Sequence, residues 1–272
     1  MITYSRLGLN GRFGNQLFQF SGTIGIADKN NYKVSFPINV NNQIQSLSNG
    51  VTFTAKVDIL DCFDIDSKYF SDVNRTDYDN KSERFFHFDE SLFNVENNTN
   101  IDGYLQSEKY FEHCRDKILD TLKFKENILN DSLNLIPKTS KKLVSVHVRR
   151  KDYLTIPEVH PFVGTDYLSK AMSEFNLNEH HFVICSDDYD WCNERWGNDK
   201  NCTVIKSPSH FIDFCILSMC DDHIISNSSF SWWSSYLSKS KDKRVIAPSI
   251  WFGPRYANYN TNDIYRKEMK RL

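Results

Sequence analysis

The sequence lacks the features that announce several large classes of protein. No stretch approaches the roughly 20 apolar residues a bilayer crossing needs. The opening MITYSRLGLNGRFGNQLFQF has neither a charged-then-apolar leader nor a small-residue cleavage site. A soluble protein of the cytoplasm, without a transmembrane segment, is therefore expected. Charge of one sign is also missing. The balance of 33 Lys and Arg against 35 Asp and Glu gives a net charge of −2, and neither half is strongly basic. A sequence-independent grip on nucleic acid needs a clustered positive surface, so nucleic acid is not an expected partner. The seven cysteines, at 62, 114, 185, 192, 202, 215 and 220, form no CxxC pair. Several sit in apolar runs, and they read as reduced, buried thiols. The eight histidines show no metal-ligand spacing, so zinc is not expected.

What is present suffices for a sizeable core. Of 272 residues, 40% are hydrophobic and 14% aromatic, enough for one large domain or two modest ones. The second half is the more legible. KLVSVHV (142–148), HFVICS (181–186), CTVIKS (202–207), HIISNS (223–228) and RVIAPS (244–249) read as buried parallel strands. TDYLSKAMSEFNL, DYDWCNERW, HFIDFCILSMC and SFSWWSSYLSK read as the helices between them. Such alternation predicts an α/β fold with a doubly wound parallel sheet, whose ligands sit beyond the carboxyl ends of the strands.

The first half begins the same way. A strand near ITYSRL leads through a Gly-containing turn into a helix over about 15–28, with Leu17, Phe20 and Ile24 as its apolar stripe. KVSF (33–36) reads as a second strand. From 37 to about 100 the pattern weakens into loops and short irregular elements, and 108–135 looks helical. The stretch KTSKK, after Pro137, is the expected domain boundary. It divides the chain into 1–137 and 138–272, with the last ~15 residues able to pack back on the first domain.

Three constellations fall at predicted strand ends. His147-Val148-Arg149-Arg150-Lys151-Asp152-Tyr153 follows the strand LVSV. Adjacent arginines there are costly to bury unless an anion meets them, and guanidinium donors match phosphate oxygens in pairs. A surface ion pair with Asp152 is the ordinary alternative. Ser226-Asn227-Ser228-Ser229-Phe230-Ser231-Trp232-Trp233 opens a helix with hydroxyls, an amide and free N–H groups, an anion cradle. Phe230, Trp233 and Leu237 would share the helix's apolar side. Gly11-Arg12-Phe13-Gly14-Asn15-Gln16 makes a tight turn, with Asn15 able to cap the following helix.

On these segments, with GYLQSEKYF (103–111), FVICSDDYDWC (182–192), DFCILSMCDDHIISNSSFSWWSSYL (213–237) and VIAPSIWF (245–252), the chain resembles the family 11 glycosyltransferases, the α1,2-fucosyltransferases. It shares the HxRRxD element with the α1,6- and protein O-fucosyltransferases. The resemblance implies the GT-B arrangement of two facing Rossmann-like domains with parallel sheets, GDP-fucose held mainly by the C-terminal one and the acceptor by the N-terminal one. It implies inverting transfer of L-fucose from GDP-β-L-fucose to a glycan hydroxyl, O2 of a terminal β-galactose, with no metal or other cofactor. Carried over by motif, Arg149 would bind the β-phosphate with help from Arg150, and His147 and Asp152 would shape that loop. Asn227, Ser228, Ser229 and Phe230 would line the diphosphate, and Asp187 would fall near the guanine. Gly14, Asn15 and Gln16 would reach the diphosphate from the other domain.

The general base stays open between Glu158, His160 and Asp152, against a surface glutamate and a capping histidine as ordinary readings. Asp64-Ile65-Asp66 is a DxD of the kind that holds a divalent ion on a diphosphate. Asp77-Tyr78-Asp79 and Asp188-Tyr189-Asp190 match equally well, so a solvated loop is the better reading. Two alternatives remain: fucosyl transfer to another sugar or a protein, and a catalytically silent protein of this fold that binds nucleotide sugar or glycan.

Overall fold

Two parallel sheets carry the chain's alternation of strand and helix. The computed structural model describes residues 1–38, 44–46 and 52–272. They divide into one unit of Met1–Lys125 with Asn258–Arg266 and another of Glu126–Ala257 with Lys267–Leu272.

The first unit contains β1 (Ile2–Thr3), α1 (Phe13–Lys29), β2 (Val34–Pro37), β3 (Ile44–Ser46), β4 (Thr52–Thr54), α2 (Ile59–Cys62), β5 (Phe70–Ser71), β6 (Asp79–Ser82), β7 (Thr99–Asp102) and α3 (Arg115–Thr121). Five strands pair in parallel in the order β5-β2-β1-β7-β6, and β3 pairs antiparallel with β4. The stretch NVNNQIQSLSNG lies largely outside the described residues. Helix α1 is buried on more than its predicted stripe. Gln16, Gln19, Ser21 and Thr23 are buried along with Leu17, Phe20 and Ile24, because Gly22 and Gly25 let the chain around Leu105–Phe111 lie directly on the helix. The predicted helical region 108–135 is broken. Short 3-10 turns precede α3, which ends at Thr121, and a second helix starts at Glu126.

That second helix, α4 (Glu126–Leu135), opens the second unit. It is followed by β8 (Lys142–Val148), α5 (Gly164–Met172), β9 (His180–Ser186), α6 (Tyr189–Trp196), β10 (Cys202–Val204), α7 (His210–Met219), β11 (Asp222–Ile224), α8 (Ser229–Leu237), β12 (Val245–Ala247) and β13 (Met269–Arg271). The sheet order is β10-β9-β8-β11-β12-β13, every pair parallel. All five strands expected here exist, three of them shorter than read, and β13 joins as an unexpected edge. Val144, Val146 and Val148 pack with Phe182, Ile184, Ile224 and Ile246 against Leu168 and Phe175. The sequence reading places the boundary at 137/138. The units divide at 125/126, because α4 packs on α7, where the Ser132 hydroxyl, bonded to Ile128 O, also approaches Ile212 O. All seven cysteines are free and buried.

Candidate active site

In the second unit β8 has β9 on one side and β11 on the other. The chain winds outward from β8 to β9 and β10, then crosses back to β11. This reversal is the topological switch point where an open parallel sheet leaves a crevice for ligand. The HVRRKDY loop leaves β8 there, flanked by the loops after β9 and β11.

His147 is buried near the end of β8, with Nδ1 2.8 Å from the Ser226 hydroxyl and its ring 5.1 Å from that of Phe230. Burial, with Arg149 beside it, pushes its pKa down to about 3. The ring is therefore neutral, and the serine bond holds its orientation.

Arg149 Nη2 donates to Asp152 Oδ2 at 2.7 Å, and Nη1 stands 3.4 Å from Asp187 Oδ2. Its guanidinium lies 5.7 Å from the centre of the Tyr153 ring. Burial opposes the charge, but Asp187, Tyr153 and Asp152 outweigh it and hold the pKa above the ordinary arginine value. Tyr153 donates its hydroxyl to Asn227 O at 3.0 Å, so the arginine loop is tied to the entry of α8. Burial pushes this phenol up to about 12.

The two arginines diverge. Arg150 Nη1 donates to Asp188 Oδ2 at 2.5 Å, and its guanidinium lies 4.8 Å from the centre of the Trp191 ring. Its backbone N–H donates to Asp187 Oδ1 at 2.9 Å. The expected pair of adjacent guanidiniums is thus one group at the switch point and one turned toward α6, where a carboxylate and an indole receive it. Asp187 touches both residues of the pair.

At the start of α8, Ser228 caps the helix by accepting from Phe230 N–H at 3.4 Å. Ser229 and Phe230 are half-buried, and the Phe230 ring is 5.1 Å from that of Phe214. Trp233 is fully buried and so helps to anchor the helix on the core. Asn227 is turned inward, its Nδ2 donating to Pro161 O at 3.0 Å and Trp251 O at 3.1 Å. It holds two loops in place, rather than lining an anion site with its amide N–H groups.

The candidate bases separate. His160 stacks on Tyr153 (5.1 Å, 15°). Its pKa is pushed down to about 4 by burial, with Asp152 raising it and Arg149 lowering it. Its Nδ1 is buried without a hydrogen-bond partner among the described residues. Glu158 is exposed, and its backbone carbonyl accepts from Arg255 N–H at 2.9 Å.

In the first unit the GRFGNQ turn leads into α1. Arg12 occupies the N-cap position, and no side chain caps the helix there. Asn15 lies within the first turn, so it does not cap as expected. Its Oδ1 accepts from Gln106 Nε2 at 2.8 Å. Gly14 is buried, and Gln16 is fully buried with Nε2 donating to Lys56 O at 2.8 Å. Gln16 therefore braces the chain inside the unit, whereas Asn15 is half-buried at the surface of the turn. Sequence reasoning misses the roles of Gln106, Tyr153, Asp188 and Trp191. All four lie inside the motif segments, but their partners are set by the fold.

Of the DxD, Asp64 is exposed. Asp66 caps a 3-10 turn by accepting from Lys68 N–H at 2.9 Å and pairs with the same lysine's Nζ. Among the described residues, Asp28, His113 and Cys114 bring potential metal-ligand atoms within 4.8 Å of one another. Lys117 Nζ already neutralises Asp28 at 2.8 Å, and burial pushes the Cys114 thiol up to about 11. Among the described residues, no helix is long and apolar enough to cross a membrane.

The O-antigen biosynthesis glycosyltransferase WbnK of Escherichia coli is 32% identical over 171 residues, 58% of this chain and 57% of WbnK. The α-1,2-colitosyltransferase of Escherichia coli is 30% identical over 165 residues, 55% of each chain. The galactoside 2-α-L-fucosyltransferase SEC1 of Bos taurus is 29% identical over 157 residues, 50% of this chain and 41% of its own. The chain thus spans about half the length of the curated relatives it matches. In structure it is similar to POFUT1 in complex with GDP, with TM-score 0.54 and 13% identity over 90% of this chain and 97% of that one. It is also similar to NodZ α-1,6-fucosyltransferase soaked with GDP-fucose, with TM-score 0.51 and 14% identity over 92% and 94%. The fold is therefore α/β of the GT-B type. The pattern of glycosyl transferase family 11 matches residues 3–271, and the chain belongs to that family of sugar-transferring enzymes.

Proposed function

We propose that this protein transfers L-fucose from GDP-β-L-fucose, with inversion, to O2 of a terminal β-galactose in a glycan. The second unit (the expected C-terminal domain) takes the donor and the first takes the acceptor. One observation carries the reading: Arg149 follows β8 at the switch point between β8 and β11, and Tyr153, whose ring centre lies 5.7 Å from its guanidinium, donates to Asn227 O just before the capped N-terminus of α8. As the glycosidic bond breaks, the departing GDP gains negative charge. A fixed guanidinium and helical N–H groups stabilise that charge without reorganising and without a metal ion. Asp152 and Asp187 hold the guanidinium in register, while the neutral His147 adds no charge. Arg150 supports the loop by pairing with Asp188 on α6. Ser228 and Ser229 line the diphosphate. His160, uncharged near neutrality and stacked on Tyr153, is better suited than the exposed Glu158 to take the acceptor's proton.

The test is incubation of the full chain with GDP-fucose and lactose in excess EDTA, with the product read by mass spectrometry and its linkage by NMR. An α1,2-fucosylated product is expected. A requirement for added divalent ion, or tighter calorimetric binding of UDP than of GDP, overturns the reading. A second reading, transfer of colitose, is favoured by the 30% identity to an α-1,2-colitosyltransferase. Competition between the two GDP-sugars decides between them.

A further inference from the structure

Asn227 fastens both ends of the loop that carries Arg149. It lies between β11 and α8, in a turn where Ser228 N–H donates to Ser226 O at 2.8 Å. Its backbone carbonyl takes the near end of the arginine loop, accepting from the Tyr153 hydroxyl at 3.0 Å. Its side chain takes the far end, Nδ2 donating to Pro161 O at 3.0 Å. The same nitrogen donates to Trp251 O at 3.1 Å, in the loop that leaves β12. One residue therefore joins the loops that follow β8, β11 and β12, which are neighbours in the sheet.

The chemistry of the amide fixes the way it faces. Both partners are carbonyls, which only accept, so the nitrogen must face them and the oxygen must not. Both N–H groups are thereby used inside the protein, and the residue is 2% exposed. Its Oδ1 is buried with no hydrogen-bond partner among the described residues. An amide with its oxygen left unpaired contributes little net stability, because desolvation of that oxygen offsets the two bonds. What it supplies is the spacing of three loops.

The far end of the arginine loop is also held from the β12 side. Gly253 N–H donates to Val159 O at 2.9 Å, and Arg255 N–H to Glu158 O at 2.9 Å. A Cβ at Gly253 would stand 2.3 Å from Pro157 O, so the two loops run in direct contact. Against this seam Asn227 sets the position of Tyr153. The Tyr153 ring centre is 5.7 Å from the Arg149 guanidinium, and the preceding residue, Asp152, accepts from that guanidinium at 2.7 Å. Moving the phenol moves both supports of Arg149.

We infer that Asn227 is a positioning residue for sugar transfer: by pinning both ends of the arginine loop to the start of α8, it sets Arg149 for the donor diphosphate. Every residue involved belongs to the second unit, and the inference rests on the reading of Arg149 as a diphosphate ligand given above.

The test is a set of double-mutant cycles on the full chain, read as calorimetric affinity for GDP at a temperature where every variant is folded. Asn227→Leu keeps the size of the side chain and removes both donors. Tyr153→Phe keeps the ring and removes the bond to Asn227 O. Each should weaken GDP binding about tenfold. In an Arg149→Ala background each should add less than about twofold, because the group they position is gone. Wild-type affinity in Asn227→Leu overturns the inference. Should Asn227→Leu fail to fold, Tyr153→Phe reads the same connection with the amide intact, and wild-type affinity there overturns it instead. Arg149→Ala with wild-type affinity removes the reading of Arg149 itself, and this inference with it. An impaired Arg149→Ala onto which both effects multiply in full removes the inference alone.

Discussion

His147 Nδ1 stands 2.8 Å from the Ser226 hydroxyl, joining the end of β8 to the exit of β11 beneath the arginine loop. Burial keeps this imidazole uncharged, so the serine bond orients a neutral ring, and Arg149 is the cation the site offers at the switch point. Ser226→Ala removes the partner of a buried ring nitrogen. It should cost about 1–3 kcal/mol of stability, read as a shifted denaturation midpoint at unchanged slope. Turnover should fall far less than on loss of Arg149. A loss of turnover equal to that of Arg149→Ala would mean His147 acts on the substrate directly.

The divergence of the two arginines gives a sharper contrast. Arg149→Ala should lower kcat about 10²–10³-fold, roughly 3–4 kcal/mol of transition-state stabilisation, while the chain stays folded. Arg150 is received by Asp188 and Trp191. Arg150→Ala should therefore show mainly as a lower melting temperature, with a smaller fall in kcat. Equal kinetic losses in the two variants, measured under saturating GDP-fucose, would contradict the separate roles.

His160 has a signed pH signature. Its folded pKa is lowered to about 4, below the unfolded value of about 6.5. The unfolded chain therefore binds more protons between these values. The stability held in the neutral ring is present above about pH 6.5 and lost as pH falls toward 4. Asp58, Asp213 and Glu83 have raised values of about 6, 6 and 7 and act in the opposite sense, so the wild-type profile alone mixes the two. The difference between wild type and His160→Gln isolates the histidine. Wild type should lose stability relative to the variant as pH drops from 6.5 to 4, measured by urea denaturation at each pH. A difference independent of pH would show that the ring is not held neutral by burial. If His160 also takes the acceptor's proton, His160→Gln should lower kcat while leaving GDP affinity unchanged.

Legibility followed the chemistry of the strands. β8 and β9 were readable because KLVSVHV and HFVICS are buried almost without a break, with Val144, Val146 and Val148 alternating in the first and Phe182, Val183, Ile184 and Cys185 consecutive in the second. β6 and β7, DNKS and TNID, were not. β6 is fully exposed, and in β7 the buried Asn100 is satisfied by Ser5 N–H at 2.8 Å and Asn80 Oδ1 at 2.8 Å, pairings no periodicity reports. β13 carries only Met269 inward, with Lys270 and Arg271 exposed on a sheet edge. At the site, the position of Arg149 followed from the strand end alone. The turn of Arg150 toward α6 did not, because Asp188 and Trp191 come from the next strand's loop and helix. Gln106 was hidden for the same reason: its bond to Asn15 spans 91 residues of sequence.

Two glycines separate steric room from backbone strain. A Cβ at Gly25 of α1 would stand 2.0 Å from Tyr110 O and 2.9 Å from Phe111 Cα, backbone atoms that cannot swing aside. Gly25→Ala must push the helix off the 110–111 segment, which also carries the Tyr110 hydroxyl bonded to Glu83 and Asp89. A loss of about 3 kcal/mol or more is expected, at the upper end for overpacking, because rigid backbone rather than a side chain must yield. Gly164, at the start of α5, has φ +83, and a Cβ added there would meet nothing within 4 Å. Gly164→Ala should therefore cost only the left-handed strain, about 1–2 kcal/mol, and Gly164→Asn less still. Thermal unfolding of the three variants under one condition checks the order. A Gly25→Ala protein as stable as Gly164→Asn would mean α1 does not lie on that segment.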